Sequence, residues 1–137
     1  MTGVIKVNEL QGRSAAGSII VTGEGNSNTI NLQQGLTKHW SCWNQSGTLT
    51  ANDSFNQSSL TDNQAAYTTT AFTNNMNNND YAYSGCTQGS GNGQPVFCEF
   101  LLSNKLTSST RVRTLNNTSN ADQDPDDVMM HTHGDLA

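Results

Sequence analysis

The chain has 137 residues, of which only 12% are charged and 33% are apolar, and its formal net charge is −5. Its six dispersed Lys and Arg residues exclude nucleic acid as a partner, because binding to phosphates requires clustered positive charge. It also has no apolar run of the roughly 18 residues that a transmembrane helix needs, so no membrane insertion is expected.

Residues 1–36 are poor in aromatic side chains and differ in this from the rest of the chain. A β-branched strand at 18–22 and a segment at 29–36 with alternating Ile30 and Leu32 flank a Gly- and Asn-rich turn at 23–28. The first residues fit an extended strand, and they lack the basic stretch and apolar core of a signal peptide, so none is expected. The sequence therefore predicts an extended N-terminal arm over residues 1–36.

From residue 37 onward, short apolar and aromatic segments alternate with Asn, Gly and Asp turns. Extended strands are predicted over residues 38–44, 48–50, 53–60, 67–73, 81–86, 96–102, 110–115 and 128–133. Turn signals at intervals of about 8–12 residues are typical of all-β sandwiches. The sequence therefore predicts an all-β fold, with an antiparallel, jelly-roll-like β-sandwich head over residues 37–137.

The supply of core side chains in this head is thin. Ordering the chain costs roughly 1–2 kcal/mol per residue, which so few apolar side chains hardly offset within one chain. We therefore expect part of the burial to come from an oligomer interface, and a compact monomer is the alternative. The side chains expected to fill the core and that interface are Trp40, Phe55, Phe72, Val96, Phe97, Phe100, Leu101 and Val112.

Two pairs of aromatic residues suggest a contact surface. Trp40 and Trp43 are three residues apart, so on a strand they point to opposite faces, and one of them is expected in the core. The exposed one is predicted to be Trp43. Together with Tyr81 and Tyr83 it would form a platform that stacks on sugars; the alternative is packing within the head or between subunits.

The strongest metal candidate is the pair His131 and His133. Residues two apart on a strand point to the same side, so three such pairs in a trimer would offer six imidazoles to one metal ion. The alternative is a pair of histidines on a strand face or in an interface. The acidic residues at 122–127 indicate either a calcium loop, without the Gly and Glu of an EF-hand, or a solvated loop.

The three cysteines, Cys42, Cys86 and Cys98, show no CxxC spacing, which argues against a zinc ribbon. Buried free thiols are expected, and a Cys86–Cys98 disulfide is the alternative. No Gly-x-Ser-x-Gly elbow is present, and no two carboxylates have a reason to converge on a groove. The sequence therefore predicts neither an enzyme nor a cofactor.

Several blocks of the sequence resemble one family in their order and spacing. They are residues 4–11 (VIKVNELQ), 31–36 (NLQQGL) followed by Lys38 and Trp40, 53–56 (DSFN), 58–63 (SSLTDN), 67–76 (YTTTAFTNNM), 80–84 (DYAYS) and 133–137 (HGDLA). They are similar to small fibre-type virion proteins of marine tailed phages that infect cyanobacteria and related hosts. The resemblance covers most of the chain in scattered blocks. It departs from the family at the loop 86–94 and at the cluster Trp40, Cys42 and Trp43.

This resemblance implies a homotrimeric virion protein, assembled in the host cytoplasm and exposed on the particle as a tail fibre or fibre-like appendage. The arm would dock to other virion proteins or to its own copies through Val4, Ile5, Val7 and Leu10. The head would contribute to host attachment, and its loops would contact a host surface glycan or another virion protein. The residues expected in that contact are Trp43, Tyr81, Tyr83, Gln88 and Asn92. A capsid decoration protein and a carbohydrate-binding module are the alternatives.

Overall fold

The structure, a computed structural model, describes residues 3, 5–13, 18–23, 28–89 and 96–137, with the backbone alone at 96 and 97. Within these ranges the protein is all-β, with antiparallel sheets and two short helical turns, so the predicted fold class is confirmed at this level. The chain divides into two compact units, Met1–Leu36 and Thr37–Ala137.

The N-terminal unit contains a small β-hairpin followed by one helical turn. β1 (Ile20–Thr22) pairs antiparallel with β2 (Thr29–Asn31), and α1 (Leu32–Gly35) follows directly. The side-chain oxygen of Asn31 accepts a hydrogen bond from the Gln34 amide at 3.2 Å, and this N-cap ends the strand and begins the turn. The alternating segment 29–36 is therefore strand only as far as Asn31. Residues 5–13 are exposed and form neither helix nor strand.

The described strands of the head form two four-stranded sheets. In chain order they are β3 (His39–Asn44), β4 (Thr50–Phe55), β5 (Gln57–Gln64), β6 (Tyr67–Phe72), β7 (Ala82–Gln88), β8 (Val96–Phe100), β9 (Ser109–Asn116) and β10 (Asp127–His133). The first sheet has the order β4-β3-β10-β7 and the second has the order β5-β6-β9-β8, with antiparallel pairing throughout. Side chains from both sheets share one core, which is consistent with a β-sandwich. The jelly-roll winding stays a prediction.

Two residues with left-handed backbone set connections that the sequence analysis misplaced. Asn56, at φ 59°, separates β4 from β5, so residues 53–60 are not one strand but two strands in different sheets. Asn occupies this backbone region more readily than most side chains do. Ala66, at φ 69°, closes a tight turn after β5, which runs on to Gln64, beyond the end of the strand predicted over 53–60. The Asp124 side chain holds that turn by accepting a hydrogen bond from the Ala66 amide at 2.6 Å.

The apolar core of the head is small and has two parts. The larger cluster joins the two sheets and consists of the buried Trp43, Val112, Val128 and Met130, with Leu49, Leu60, Tyr83, Cys98 and Phe100 packed against it. The second cluster consists of Phe72, Met76 and Tyr81. Of the core residues predicted from the sequence, Phe72 and Val112 are buried, and Phe100 and Leu101 are half-buried. The side chains of Val96 and Phe97 lie outside the described residues.

Threonine hydroxyls and a few other polar groups fill the rest of the interior. The fully buried threonines are Thr68, Thr70, Thr110, Thr114 and Thr132. Beside them the His39 ring nitrogen Nε2 lies 3.1 Å from Thr70 Oγ1, and Thr70 in turn donates to Gln57 Oε1 at 3.3 Å. Ser41 donates to the same Gln57 oxygen. Interstrand hydroxyls therefore take space that aliphatic side chains occupy in most sandwiches, which explains how so apolar-poor a chain forms a closed interior.

Gly85 in β7 lies where no side chain fits. A Cβ atom there would meet the Met129 carbonyl oxygen at 2.6 Å and the Phe100 ring at 3.1 Å. We expect Gly85→Ala to lower the free energy of unfolding by about 1–3 kcal/mol or more, because a backbone oxygen cannot yield as a flexible side chain does. Urea unfolding measures this effect.

The matched control for Gly85→Ala is Gly35→Ala. At Gly35 the added Cβ meets only the Ile30 side chain, at the ordinary contact distance of 3.6 Å. Equal urea midpoints for Gly85→Ala and the unmodified protein would contradict the close packing of β7 against β10.

Candidate functional site

The structure places Trp43 in the core and not on the surface. Its side chain is 0% exposed, it packs with Val112 and Val128, and its indole Nε1 lies 3.4 Å from Gln45 Oε1. The two tryptophans do point to opposite faces of β3, as the spacing predicts. The assignment of Trp43 as the receptor-contact residue is wrong for this fold, because a side chain without exposed surface cannot stack on a ligand.

Tyr81 and Tyr83 share one side, as predicted, but that side faces inward. Their ring centroids are 6.0 Å apart, and Tyr83 also contacts Phe100 at 4.2 Å. The buried Tyr81 hydroxyl lies 3.0 Å from the Leu106 carbonyl oxygen, and burial raises the pKa of Tyr81 to about 12. The Lys105 ammonium lies about 5 Å from both ring centroids and covers the open side. Tyr81 is therefore buried and Tyr83 is half-buried, so the two rings form no exposed sugar platform.

Two further residues predicted to contact a receptor lie near the end of β7. Gln88 is the last residue of that strand, and its side chain is exposed. Asn92 lies outside the described residues. Contact of Gln88 and Asn92 with a receptor stays a prediction.

The outward side of the sheet β4-β3-β10-β7 carries three large exposed side chains, whereas Leu102, Leu106 and Leu136 are exposed elsewhere in the head. Trp40 is 37% exposed, Phe55 is 52% exposed and Met129 is 38% exposed, although the sequence analysis placed Trp40 and Phe55 in the core. Strand register puts Phe55, Trp40, His131 and Ser84 in one row across the four strands. The next row contains Asp53, Cys42, Met129 and Cys86. We call these two rows the Trp40 face.

A shallow groove of about 420 Å³ crosses the Trp40 face. It is lined chiefly by Trp40, Cys42, Ser84, Cys86, Met129 and His131. This volume falls in the range of about 300–1,000 Å³ that is typical of binding sites. An aromatic ring, a thioether and two thiols supply apolar contact, and the Ser84 hydroxyl and the His131 imidazole supply hydrogen bonds.

The outward side of the other sheet has a different character. There Arg113 pairs with Asp122 at 2.7 Å and with Glu99 at 3.2 Å, and Arg111 bonds to Asn63 at 2.9 Å. These charged and polar side chains pair with one another at a surface that faces water. The difference between the outward sides of the two sheets identifies the Trp40 face as the candidate interaction site of the head.

His131 and His133 lie side by side on the Trp40 side of β10, as their spacing predicts. Their ring centroids are 5.3 Å apart, and the two rings are nearly perpendicular. His131 Nε2 lies 2.9 Å from Ser84 Oγ, and His133 Nε2 lies 3.3 Å from Thr37 Oγ1. Among the described residues no group of three or more His, Cys, Asp and Glu side chains is arranged to hold a metal ion. A metal shared between copies through this pair stays a prediction.

The acidic residues at 122–127 have separate partners and do not converge. Asp122 bonds to Arg113, and Asp124 bonds to the Ala66 amide and to Gln45. Asp127 accepts a hydrogen bond from Asn52 at 2.8 Å. These bonds fasten the segment to three parts of the head, so its arrangement favours a structural loop over a calcium site.

All three cysteines are free thiols in the described fold. Cys42 and Cys86 flank Met129 on its two neighbouring strands. Their Cα atoms are therefore about 10 Å apart, which is beyond the reach of a disulfide. Cys98 is half-buried inside the sandwich, and burial raises the pKa of its thiol to about 12.

The N-terminal unit exposes nearly all of its described apolar side chains. Ile5 is 87% exposed, and Val7 and Leu10 are also exposed, whereas Val4 lies outside the described residues. The hairpin strands and the turn after α1 add the exposed side chains of Ile20, Val21, Ile30 and Leu36. One chain alone does not bury them.

Sequence reasoning missed the Trp40 face because it judged β3 by hydrophobicity. The strand places His39, Ser41 and Trp43 inside and Trp40 and Cys42 outside, the reverse of what apolar content alone suggests. The signal available in the sequence was the outward alternation of Met129, His131 and His133 in the neighbouring β10.

No protein-family model, no curated protein and no solved structure matches this chain. None of the helical segments in the described ranges is long and apolar enough to span a bilayer.

Proposed function

We propose that the protein is a structural component of a bacteriophage virion: a homotrimeric tail fibre or fibre-like appendage that contributes to host attachment. The resemblance of the sequence blocks to small marine phage fibre proteins supports this role. The observation that carries it is the exposure of Ile5, Val7, Leu10 and the hairpin side chains in a single chain. An arm that exposes its apolar residues is suited to assembly with other chains.

Assembly would remove these side chains from water. Burying a Val, Leu or Ile side chain fully contributes roughly 1.5–3 kcal/mol, so the exposed set represents a large driving force for association. The arm would bind its own copies or other virion proteins, and the head would present its loops outward. No cofactor and no catalytic group enters this role.

Exposed hydroxyl and amide side chains suit a particle that works in salt water. On the described surface of the head, Arg113 forms ion pairs with Glu99 and with Asp122. Salt screens exposed charges over distances of about 10 Å or less, whereas hydrogen bonds between Asn, Thr and backbone groups are short-ranged. Such a surface would keep its structure at high ionic strength.

Sedimentation of the full chain tests the assembly. We expect a mass three times the 14.7 kDa of one chain. The double substitution Ile5→Ser and Val7→Ser should shift the mass toward the monomer without unfolding the head, because both side chains are exposed. Gln11→Ser, at an exposed polar position in the same segment, is the matched control.

A heat-stable monomer of the unmodified chain at micromolar concentration would overturn the proposal. Labelling of purified virions with an antibody to the head then separates the tail role from a capsid decoration protein. Label at the tail supports the fibre, and label spread over the shell supports the capsid alternative.

A further inference from the structure

We infer that, in the assembled protein, the N-terminal segment 5–13 of a second copy of this chain covers the Trp40 face. The inference rests on the proposed function, because it presumes an assembly of identical chains. It identifies the two surfaces that meet: an exposed apolar segment of one copy and an exposed apolar sheet face of another.

The composition of the Trp40 face is that of a protein interface. Trp40, Cys42 and Met129 lie on its two central strands. The edge strands β4 and β7 carry Phe55, Cys86 and the carboxylate of Asp53, and Asp127 lies in the neighbouring row. The centres of interfaces are depleted in charge and enriched in aromatic residues and Met, with a polar rim. A solvent-facing sheet side would instead resemble the Arg113 side of this head.

Charge favours the segment 5–13 as the occupant. The two rows of the Trp40 face contain the carboxylate of Asp53 and no Lys or Arg, and Asp127 lies in the next row; neither carboxylate is in an ion pair among the described residues. The segment carries Lys6 and Arg13 against one Glu9. In an extended segment Glu9 and Arg13 lie on the side of Ile5 and Val7 while Lys6 points away, so Arg13 is the positive group that can reach these carboxylates.

Charge also disfavours a second head as the occupant. Residues 37–137 contain nine acidic and four basic residues, a net charge of −5, whereas residues 1–36 contain two of each. Two heads placed face to face would repel each other, while an arm on a head adds no net repulsion.

The dimensions fit as well. A nine-residue extended segment reaches about 30 Å, and four strands spaced about 4.8 Å apart span about 14 Å. In an extended segment Ile5 and Val7 point to the same side, so both can contact the row that contains Trp40 while Lys6 points to the opposite side.

Native cysteines on the Trp40 face allow a direct test of this contact. One chain carries Val7→Cys with Cys42→Ser and Cys86→Ser, and a second, tagged chain carries Cys42→Ser and keeps Cys86. Cys98 stays in both chains, since its half-buried thiol with a pKa near 12 reacts slowly. The two chains are unfolded, mixed, refolded together and treated with a mild oxidant such as diamide.

We expect a covalent heterodimer of the two chains, formed at least about tenfold more than with a control chain that has Thr61→Cys in place of Val7→Cys. Thr61 is exposed on the other sheet, so its thiol has the same access to solvent without the predicted contact. As a second measurement, Met129→Lys should lower the assembled mass, whereas Thr69→Lys on the outward side of the other sheet should not.

Three results would overturn the inference. An assembly of normal mass with no heterodimer above the Thr61→Cys control would show that the arm binds elsewhere, and the proposed function would stand. A single chain that carries both Val7→Cys and the native Cys86, and that forms the disulfide only within one monomer, would show that the arm folds onto its own head. Glycan binding by the intact assembly that is lost in Trp40→Ala would show that the face is open to ligand. A monomeric unmodified chain, by contrast, would overturn the proposed function itself.

Discussion

Replacing His39 with Gln is expected to remove most of the stability loss that this protein undergoes on acidification from about pH 7.5 to about pH 4.5. His39 is 0% exposed, and burial lowers its pKa to about 4 from the usual 6.5, because the interior disfavours the imidazolium. In the unfolded chain the same ring takes up a proton near its usual pKa. The folded state therefore resists protonation that the unfolded state accepts.

The sign of the effect follows from proton counting. Between the two pKa values the unfolded state binds more protons than the folded state, so the free energy of unfolding rises with pH across this window. The contribution of His39 to the free energy of unfolding is fully present above about pH 6.5 and is lost as the pH falls toward about pH 4. Its total size is about 3 kcal/mol. Urea unfolding at a series of pH values measures it.

The Gln substitution is chosen for the local geometry. Its amide can keep the hydrogen bond to Thr70 that His39 Nε2 makes at 3.1 Å, and it removes the Nδ1 atom, which is buried without a partner among the described residues. His131→Gln is the matched control, because His131 is exposed on the other side of the sheet. A His39→Gln protein that loses as much stability in acid as the unmodified chain would contradict this account.

The strand pattern of this protein could be predicted from its sequence to a useful degree. Alternation within 67–73, the strands near 110–115 and 128–133, and the turn clusters between them all follow from the two-residue period of extended chain. The all-β class followed from the same signals. Boundaries failed where a single residue decides the backbone, as at Asn56 and at the Asn31 cap.

The inward and outward faces could not be predicted where the interior is polar. Alternation says that Trp40 and Trp43 lie on opposite sides of β3, but hydrophobicity then selects the side with Trp40 and Cys42 as the core. The fold selects the side with His39 and Ser41, because Thr70 and Gln57 on the facing sheet satisfy those groups. Such cross-sheet partners are invisible in one sequence, which therefore predicts the wrong tryptophan to be exposed.

Separate replacement of the two tryptophans is expected to distinguish the residue that stabilises the fold from the residue that contributes to assembly. Trp43→Ala should lower the free energy of unfolding by about 3–5 kcal/mol, because it leaves a cavity among Val112, Val128 and Met130. That loss is a large part of the total free energy of unfolding, which is roughly 5–15 kcal/mol for a single domain. It should appear as a lower urea midpoint at every protein concentration.

Trp40→Ala should act in the opposite way. Its side chain is partly exposed on the sheet face, so the head should lose about 1 kcal/mol or less, but a contact with another chain would be removed. Since association makes apparent stability depend on protein concentration, Trp40→Ala should weaken that dependence while Trp43→Ala preserves it. In Trp40→Ala the remaining Trp43 should also resist quenching by acrylamide. A Trp40→Ala protein that unfolds like Trp43→Ala, or a Trp43 fully open to acrylamide, would contradict the assignment of the two faces of β3.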